Sequence, residues 1–393
     1  MRPFASRVDK NCRMWYTKKC ACFSPLLTLR TLLNYVIQNE VKMRYPEFLK
    51  EQGTIGFVAP SFGCNIEPYK TAFVNAQKRF TEKGFSVQLG PNCYAGEGIG
   101  ISNTPELCAG ELMEAYCSEE SDVLISCGGG ELMCGILDHM DFTKIAAAKP
   151  KWFMGYSDNT NFSFLLNTLC DTASMYGPNA AAFGMEPWHP SMEDAFAALQ
   201  GKVCFQGYEL WQLEGTKDEE HPLEPFHVTE PVVLHKFVGD GKPLGTNTKE
   251  AESVHMEGRL LGGCLDCLSV LCGTKYDRVK EYVEKYKDDG ILWFLEACDL
   301  NMMSLRRVMW QLENAGWFRY TKGFLIGRPL HFGENLMGLD QYKATYDVIS
   351  HYRVPIIMDA DLGHLPPAVP LIGGSMATIE AKGNRWQIEM RTE

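Results

Sequence analysis

From Thr54 to Leu169 the chain alternates short apolar runs with segments whose apolar residues recur at helical spacing, and this alternation limits the fold more than any other feature. Ile55–Val58, Phe85–Leu89, Val123–Ser126 and Lys151–Met154 read as strands. Between them the spacing predicts a helix after Pro68 with Phe73, Ala76 and Phe80 on one face and Gly84 at its end. A second helix opens at Thr104-Pro105-Glu106, and a third runs to Met140. Strand and helix in regular turn make an α/β fold, a parallel sheet with helices on both faces. Ligands in such sheets bind beyond the carboxyl ends of the strands. Two turns fall there, Cys127-Gly128-Gly129-Gly130 and Gly155-Tyr156-Ser157-Asp158.

The second turn joins the apolar run Trp152–Met154 to a helix with Phe162, Leu165, Leu166 and Leu169 on one face, so Ser157 lies where a strand bends sharply into a helix. That is the geometry of a nucleophile elbow, which lifts a hydroxyl above the sheet edge. The competing reading makes Ser157 a helix cap and Asp158 a complement to the helix dipole. Asn159 occupies the place where the hydrolase G-x-S-x-G pattern has glycine, which favours the cap on local grounds. Gly128–Gly130 has neither a dinucleotide-binding nor a Walker pattern. It is either a plain tight turn or an oxyanion hole, where glycine lets backbone N–H groups approach a reacting carbonyl.

A net charge of −11 and the lack of a basic cluster beyond residue 50 argue against a nucleic-acid surface. No apolar run is long enough to span a membrane. The fifteen cysteines are scattered through expected strands and helices, which suits reduced, mostly buried thiols in the cytoplasm. Cys264-Leu-Asp-Cys267 lacks a second pair at zinc-ribbon spacing, so no metal and no cofactor are expected. Residues 1–42 carry a net +6 against −17 for the remainder, and the natural beginning is expected near Met43, after a disordered or non-native basic leader.

The expected division is an α/β domain over 43–183 that carries Ser157, a linker or lid over 184–255, and a β/α domain over 256–393. Six prolines between Pro187 and Pro243 make the middle segment read as irregular, with some strands of its own. Beyond it, Leu260–Cys264 reads as the opening of a helix ended by Gly273, and Ile291–Leu295 as a buried strand followed at once by Glu296. A carboxylate there needs partners. It is either half of a structural ion pair with Arg306 or Arg307, or an acid that orients another group. His364 follows a strand over Val354–Met358 in a loop stiffened by proline, where an imidazole can be functional or merely capping. Ser157, Glu296 and His364, each at a strand end, supply the three roles of a serine hydrolase.

The chain resembles the serine LD-carboxypeptidases, including their microcin-immunity branch, over about residues 53 to 385. The likeness rests on Gly53–Ser61, Gly129-Gly130 with Asp141, Gly155–Asp158, Gly262-Gly263 with Leu271–Thr274, Leu295-Glu296 with Arg307, Gly327–Leu330, and Gly363-His364, in that order. The resemblance implies Ser157 as nucleophile, His364 as general base and Glu296 as its orienting acid. Backbone N–H groups at Asp158, Gly129 and Gly130 would be the oxyanion donors. It implies a smaller mixed β/α carboxyl-terminal domain carrying Glu296 and His364, and a homodimer. Met133 and Asp299–Met303 depart from the family's pattern.

The expected activity is serine-type hydrolysis of a C-terminal LD bond, releasing a terminal D-amino acid from murein tetrapeptide. The alternatives are cleavage of a peptidyl-nucleotide antibiotic, with Trp188 or Trp211 stacking on the base, and a non-catalytic two-domain peptide-binding protein. An α/β-hydrolase esterase is a weaker rival, since no His-Gly-Gly-Gly loop is present.

Overall fold

Strands written as unbroken apolar runs need cover on both faces, and the first half of the chain provides it. The computed structural model describes residues 42–245 and 248–393. The basic leader, Lys42 apart, lies outside them. In order come β1 (Thr54–Val58), α1 (Tyr69–Glu82), β2 (Ser86–Leu89), α2 (Pro105–Cys117), β3 (Val123–Ser126), α3 (Phe142–Ala147), β4 (Trp152–Gly155), α4 (Thr160–Cys170) and β5 (Ser174–Tyr176). The strands lie β5-β4-β3-β1-β2, all parallel, and β3 and β4 are buried at every residue.

The local signals act as expected at several ends. Thr104 Oγ1 accepts from the Leu107 N–H at the start of α2, where Pro105 needs no donor of its own. α1 buries Ala72, Phe73, Ala76 and Phe80. The helix expected to run to Met140 differs: Met133–His139 is a 3-10 turn containing Gly135, and Asp141 then caps the separate α3 by accepting from the Thr143 and Lys144 N–H groups.

The middle segment is more regular than its prolines suggest. It holds α5 (Pro190–Leu199), β6 (Cys204–Gln206), β7 (Leu210–Trp211), β8 (Glu230–Pro231) and β9 (His235–Val238). Pro190 occupies the first turn of α5, where a missing N–H costs nothing. Two strands of the segment expected as a linker or lid over 184–255 belong to the second sheet, where β6 and β9 are its edge strands.

That sheet is completed by the rest of the chain: β10 (Ser253–Cys264), α6 (Leu265–Leu271), α7 (Val279–Lys285), β11 (Ile291–Glu296), α8 (Met302–Asn314), β12 (Thr321–Gly327), α9 (Gln341–Ile349), β13 (Pro355–Ala360), β14 (Leu371–Gly373), β15 (Met376–Lys382) and β16 (Arg385–Arg391). Its order is β6-β16-β15-β10-β11-β12-β13-β9, with β10 to β13 parallel and the flanking pairs antiparallel. β14 does not join it. It crosses to the first sheet and pairs antiparallel with β5, Leu371 opposite Tyr176.

Leu260–Cys264 is the end of a strand, not the opening of a helix. Antiparallel to β15, β10 alternates exposed and buried residues; once parallel to β11, it is buried throughout. A continuous apolar run carries no period that separates buried strand from buried helix. The glycines serve close approach: a Cβ on Gly262 would meet the Phe294 carbonyl oxygen at 1.8 Å, and one on Gly263 would meet Thr160 Cγ2 at 2.6 Å.

Candidate active site

Ser157 leaves β4 with φ +62, a left-handed conformation that a non-glycine residue holds only when its surroundings enforce it. The enforcement is visible. A Cβ on Gly155 would stand 2.9 Å from Asn159 Cβ, so glycine is needed for the bend. Asn159, placed where the hydrolase pattern has glycine, turns its amide inward and donates to the Gly128 carbonyl at 2.8 Å, and to Tyr156 O and Asn179 Oδ1 at 3.2 Å. It thereby ties the elbow to the glycine turn. The Asp158 carboxylate is buried and braced from below: Ser61 Oγ donates to it at 2.6 Å, the Met133 N–H at 2.9 Å and Asn161 Nδ2 at 3.0 Å. Burial nevertheless pushes its pKa up.

The Ser157 hydroxyl is not used as a helix cap. Its partner is His364 Nε2 at 2.9 Å, and His364 Nδ1 lies 2.8 Å from Glu296 Oε2. The carboxylate is fully buried at the end of β11, while the imidazole keeps 13% of its side-chain surface exposed. Three residues far apart in sequence thus meet in one hydrogen-bonded line. Arg306 pairs with Asp347 instead, and neither it nor Arg307 reaches Glu296, so the ion-pair reading of that carboxylate is corrected.

Tyr176, at the end of β5, donates its hydroxyl to Glu296 Oε1 at 2.6 Å and accepts weakly from the Ser157 N–H at 3.4 Å. Nothing local marked it. A tyrosine ending an apolar strand reads as core, and its partner is 120 residues away. Changing Tyr176 to Phe is expected to lower unfolding stability by about 1–3 kcal/mol, the cost of leaving a buried charged acceptor short of a donor. Denaturant titration measures it, and a loss below a few tenths would mean that the bond is not formed.

The electrostatics follow from this packing. Burial works against charge on His364, but the Glu296 carboxylate, together with the Cys298 side chain, outweighs it and holds the imidazole well above its ordinary value. Burial likewise raises the Glu296 carboxyl, yet His364 and the Tyr176 hydroxyl bring it below its usual range. Gly363, just before the histidine, has φ +102, and a Cβ there would stand 2.7 Å from Glu296 Oε2.

The glycine turn faces the serine. A Cβ on Gly129 would lie 3.3 Å from Ser157 Oγ, and one on Gly130 would meet Ser61 Oγ at 2.2 Å. The N–H groups of Gly129, Gly130 and Asp158 find no acceptor among the described residues. All of this opens onto a cleft of about 870 Å³ that Ser157, His364 and Gly128–Gly130 line together with Phe62, Tyr69 and Phe226. Trp188 and Trp211, which the peptidyl-nucleotide alternative offered for stacking on a base, do not line it. Trp188 packs among Phe80, Phe183 and Phe196, and Trp211 against Phe332 and the Arg328 guanidinium. Among the described residues no group of three or more His, Cys, Asp or Glu is placed to hold a metal ion, and no helix is long and apolar enough to cross a membrane.

The LD-carboxypeptidase N-terminal domain matches residues 55–177, and the C-terminal domain of the same family matches 257–379. The chain belongs to the LD-carboxypeptidase family. Among the relatives of this chain is "Putative carboxypeptidase YocD" of Bacillus subtilis, 22% identical over 338 residues, 86% of this chain and 96% of the relative. Among solved structures, the microcin C7 self-immunity protein MccF in complex with aspartyl sulfamoyl adenosine matches with a TM-score of 0.70 at 19% identity, covering 88% of this chain and 98% of that one. An MccF-like protein from Bacillus anthracis matches with a TM-score of 0.69 at 22% identity, over 88% and 99%. These likenesses show that the two-sheet α/β fold of this chain is that of MccF.

Proposed function

We propose that the protein is a serine carboxypeptidase that hydrolyses a C-terminal LD peptide bond, releasing a terminal D-amino acid from murein tetrapeptide. The observation that carries this reading is the line Ser157 Oγ, His364, Glu296 at 2.9 and 2.8 Å. Ser157 attacks the scissile carbonyl as its proton passes to His364 Nε2. The imidazolium so formed is aligned and stabilised by Glu296. Negative charge growing on the carbonyl oxygen is taken by the free N–H groups of Gly129, Gly130 and Asp158. His364 returns the proton to the leaving amine, and water, activated by the same imidazole, releases the acyl group. A protein that only bound peptides would have no need of a strained serine facing a carboxylate-backed imidazole.

A second reading, cleavage of a peptidyl-nucleotide, is favoured by the aromatic side chains Phe62, Tyr69 and Phe226 in the cleft, which offer faces to a base. Incubation with murein tetrapeptide and with aspartyl sulfamoyl adenosine, followed by mass spectrometry, separates the two. Loss of one residue from the tetrapeptide alone supports the first reading. The free thiols throughout the described residues support a reducing compartment, the cytoplasm.

The pH dependence has a defined sign. His364 must be neutral to accept a proton, and Glu296 favours its charged form, so kcat/KM should fall with acid at a pH above the ordinary imidazole range. Glu296→Gln removes the negative neighbour, lowers the imidazole pKa and should move that acid limb to lower pH while lowering kcat. A limb that stays in place in the variant would separate Glu296 from the titrating group.

A further inference from the structure

The cleft is short of positive charge. Glu131, Asp158, Asp266 and Asp299 line it, whereas among its described lining residues Lys217 is the one lysine or arginine. The remaining basic group, His364, is already engaged by Glu296. Asp158 is taken up by Ser61, Met133 and Asn161, and Asp266 accepts from the Cys298 and Asp299 N–H groups. Lys217 has no such partner: no carboxylate and no hydrogen-bond acceptor reaches its ammonium among the described residues. Its acidic neighbours in sequence are turned elsewhere. Asp218 accepts from the Glu220 and His221 N–H groups and faces the His221 ring. Lys217 is half-buried between exposed residues, the reverse of what a solvated acidic loop does with its only cation.

We propose that Lys217 is the anion-reading residue of this cleft, pairing with a carboxylate or phosphoryl group of the substrate. The proposal rests on the serine carboxypeptidase reading above. A carboxypeptidase differs from an endopeptidase in recognising the charged end of its substrate, and an acidic cleft in a protein of net charge −11 repels that end unless a cation receives it. An ammonium without a protein partner is available for this at no cost in broken ion pairs. Burial holds its pKa below the ordinary lysine value, and of the neighbouring ionisable groups only the Cys64 thiol opposes that shift. A substrate anion would restore what burial removes. The chemistry fits two sources, the terminal carboxylate of a peptide and the phosphoryl group of a nucleotide.

Binding measured without turnover tests this independently of catalysis. In a Ser157→Ala background, calorimetry compares murein tetrapeptide with its C-terminal amide, and adenosine monophosphate with adenosine, before and after Lys217→Met. If the carboxylate is read, the free acid loses about ten- to a hundredfold in affinity, the range of a charge-assisted hydrogen bond, and its advantage over the amide disappears. If the phosphoryl group is read, the same collapse occurs between the monophosphate and adenosine. Lys217→Arg, which keeps the charge, retains most of the preference in either case, and in otherwise unchanged enzyme the loss for Lys217→Met falls on KM rather than on kcat. Both preferences surviving Lys217→Met would overturn the proposal. A failure of the serine reading registers separately, as hydrolysis that persists in Ser157→Ala.

Discussion

Replacing Ser157 with alanine is expected to lower kcat by about 10⁴-fold or more, and replacing His364 to do the same, with the double variant little worse than either. The reason is geometric. A serine hydroxyl is a poor nucleophile at neutral pH, and here its one acceptor among the described residues is His364 Nε2 at 2.9 Å, so each residue is without effect when the other is gone. Residual turnover would come from the free N–H groups near Gly129 and from binding. Ser157→Ala should fold normally, because the side chain is small, half-buried and at a cleft wall. Initial rates on the best substrate, with circular dichroism as the folding control, decide the matter. More than a tenth of wild-type activity in Ser157→Ala, or single losses that multiply in the double variant, would return Ser157 to a structural role.

Gly363→Ala should cost about 100-fold or more in kcat although the residue carries no functional group. An added Cβ would meet Glu296 at 2.7 Å from Oε2 and 2.8 Å from Cβ, and φ +102 already disfavours any side chain. Either the carboxylate moves off His364 or the loop carries His364 away from Ser157, and misplacement by about 1 Å is enough to cost that much. Gly383→Ala is the matched control. Its φ is +58 with nothing within 4 Å, so it bears backbone strain of about 1 kcal/mol without reaching the site. Equal activity losses in the two variants would mean that backbone strain, not the contact with Glu296, explains the effect at Gly363.

The sequence made the strand–turn–helix around Ser157 legible because each piece is local: an apolar run, a glycine and a helical period. Glu296 and His364 stood out for a related reason, a charged or titratable group directly beyond a buried strand. What sequence reading missed depends on contacts between distant segments. Tyr176 gains its importance only by meeting Glu296, and Asn159 only by reaching back to Gly128. Trp188 and Trp211 are available for stacking as far as the sequence goes, because aromatic rings suit both cores and ligands, and only packing decides between them. The strand ending at Cys264 was hidden by its own complete burial, which erases the alternation that identifies a strand.

The crossing of β14 bears on how this protein could be taken apart or recombined. The histidine loop is anchored at one end by β13 in the second sheet and at the other by β14 in the first, where Leu371 stands opposite Tyr176. The mechanical division of the molecule therefore does not coincide with any single cut in the chain. A chimera that exchanged residues 257–393 as one block between relatives would transplant the outer strand of its neighbour's sheet along with Glu296 and His364. A fragment ending before that block would present β5 as a bare edge, open to pairing with other copies.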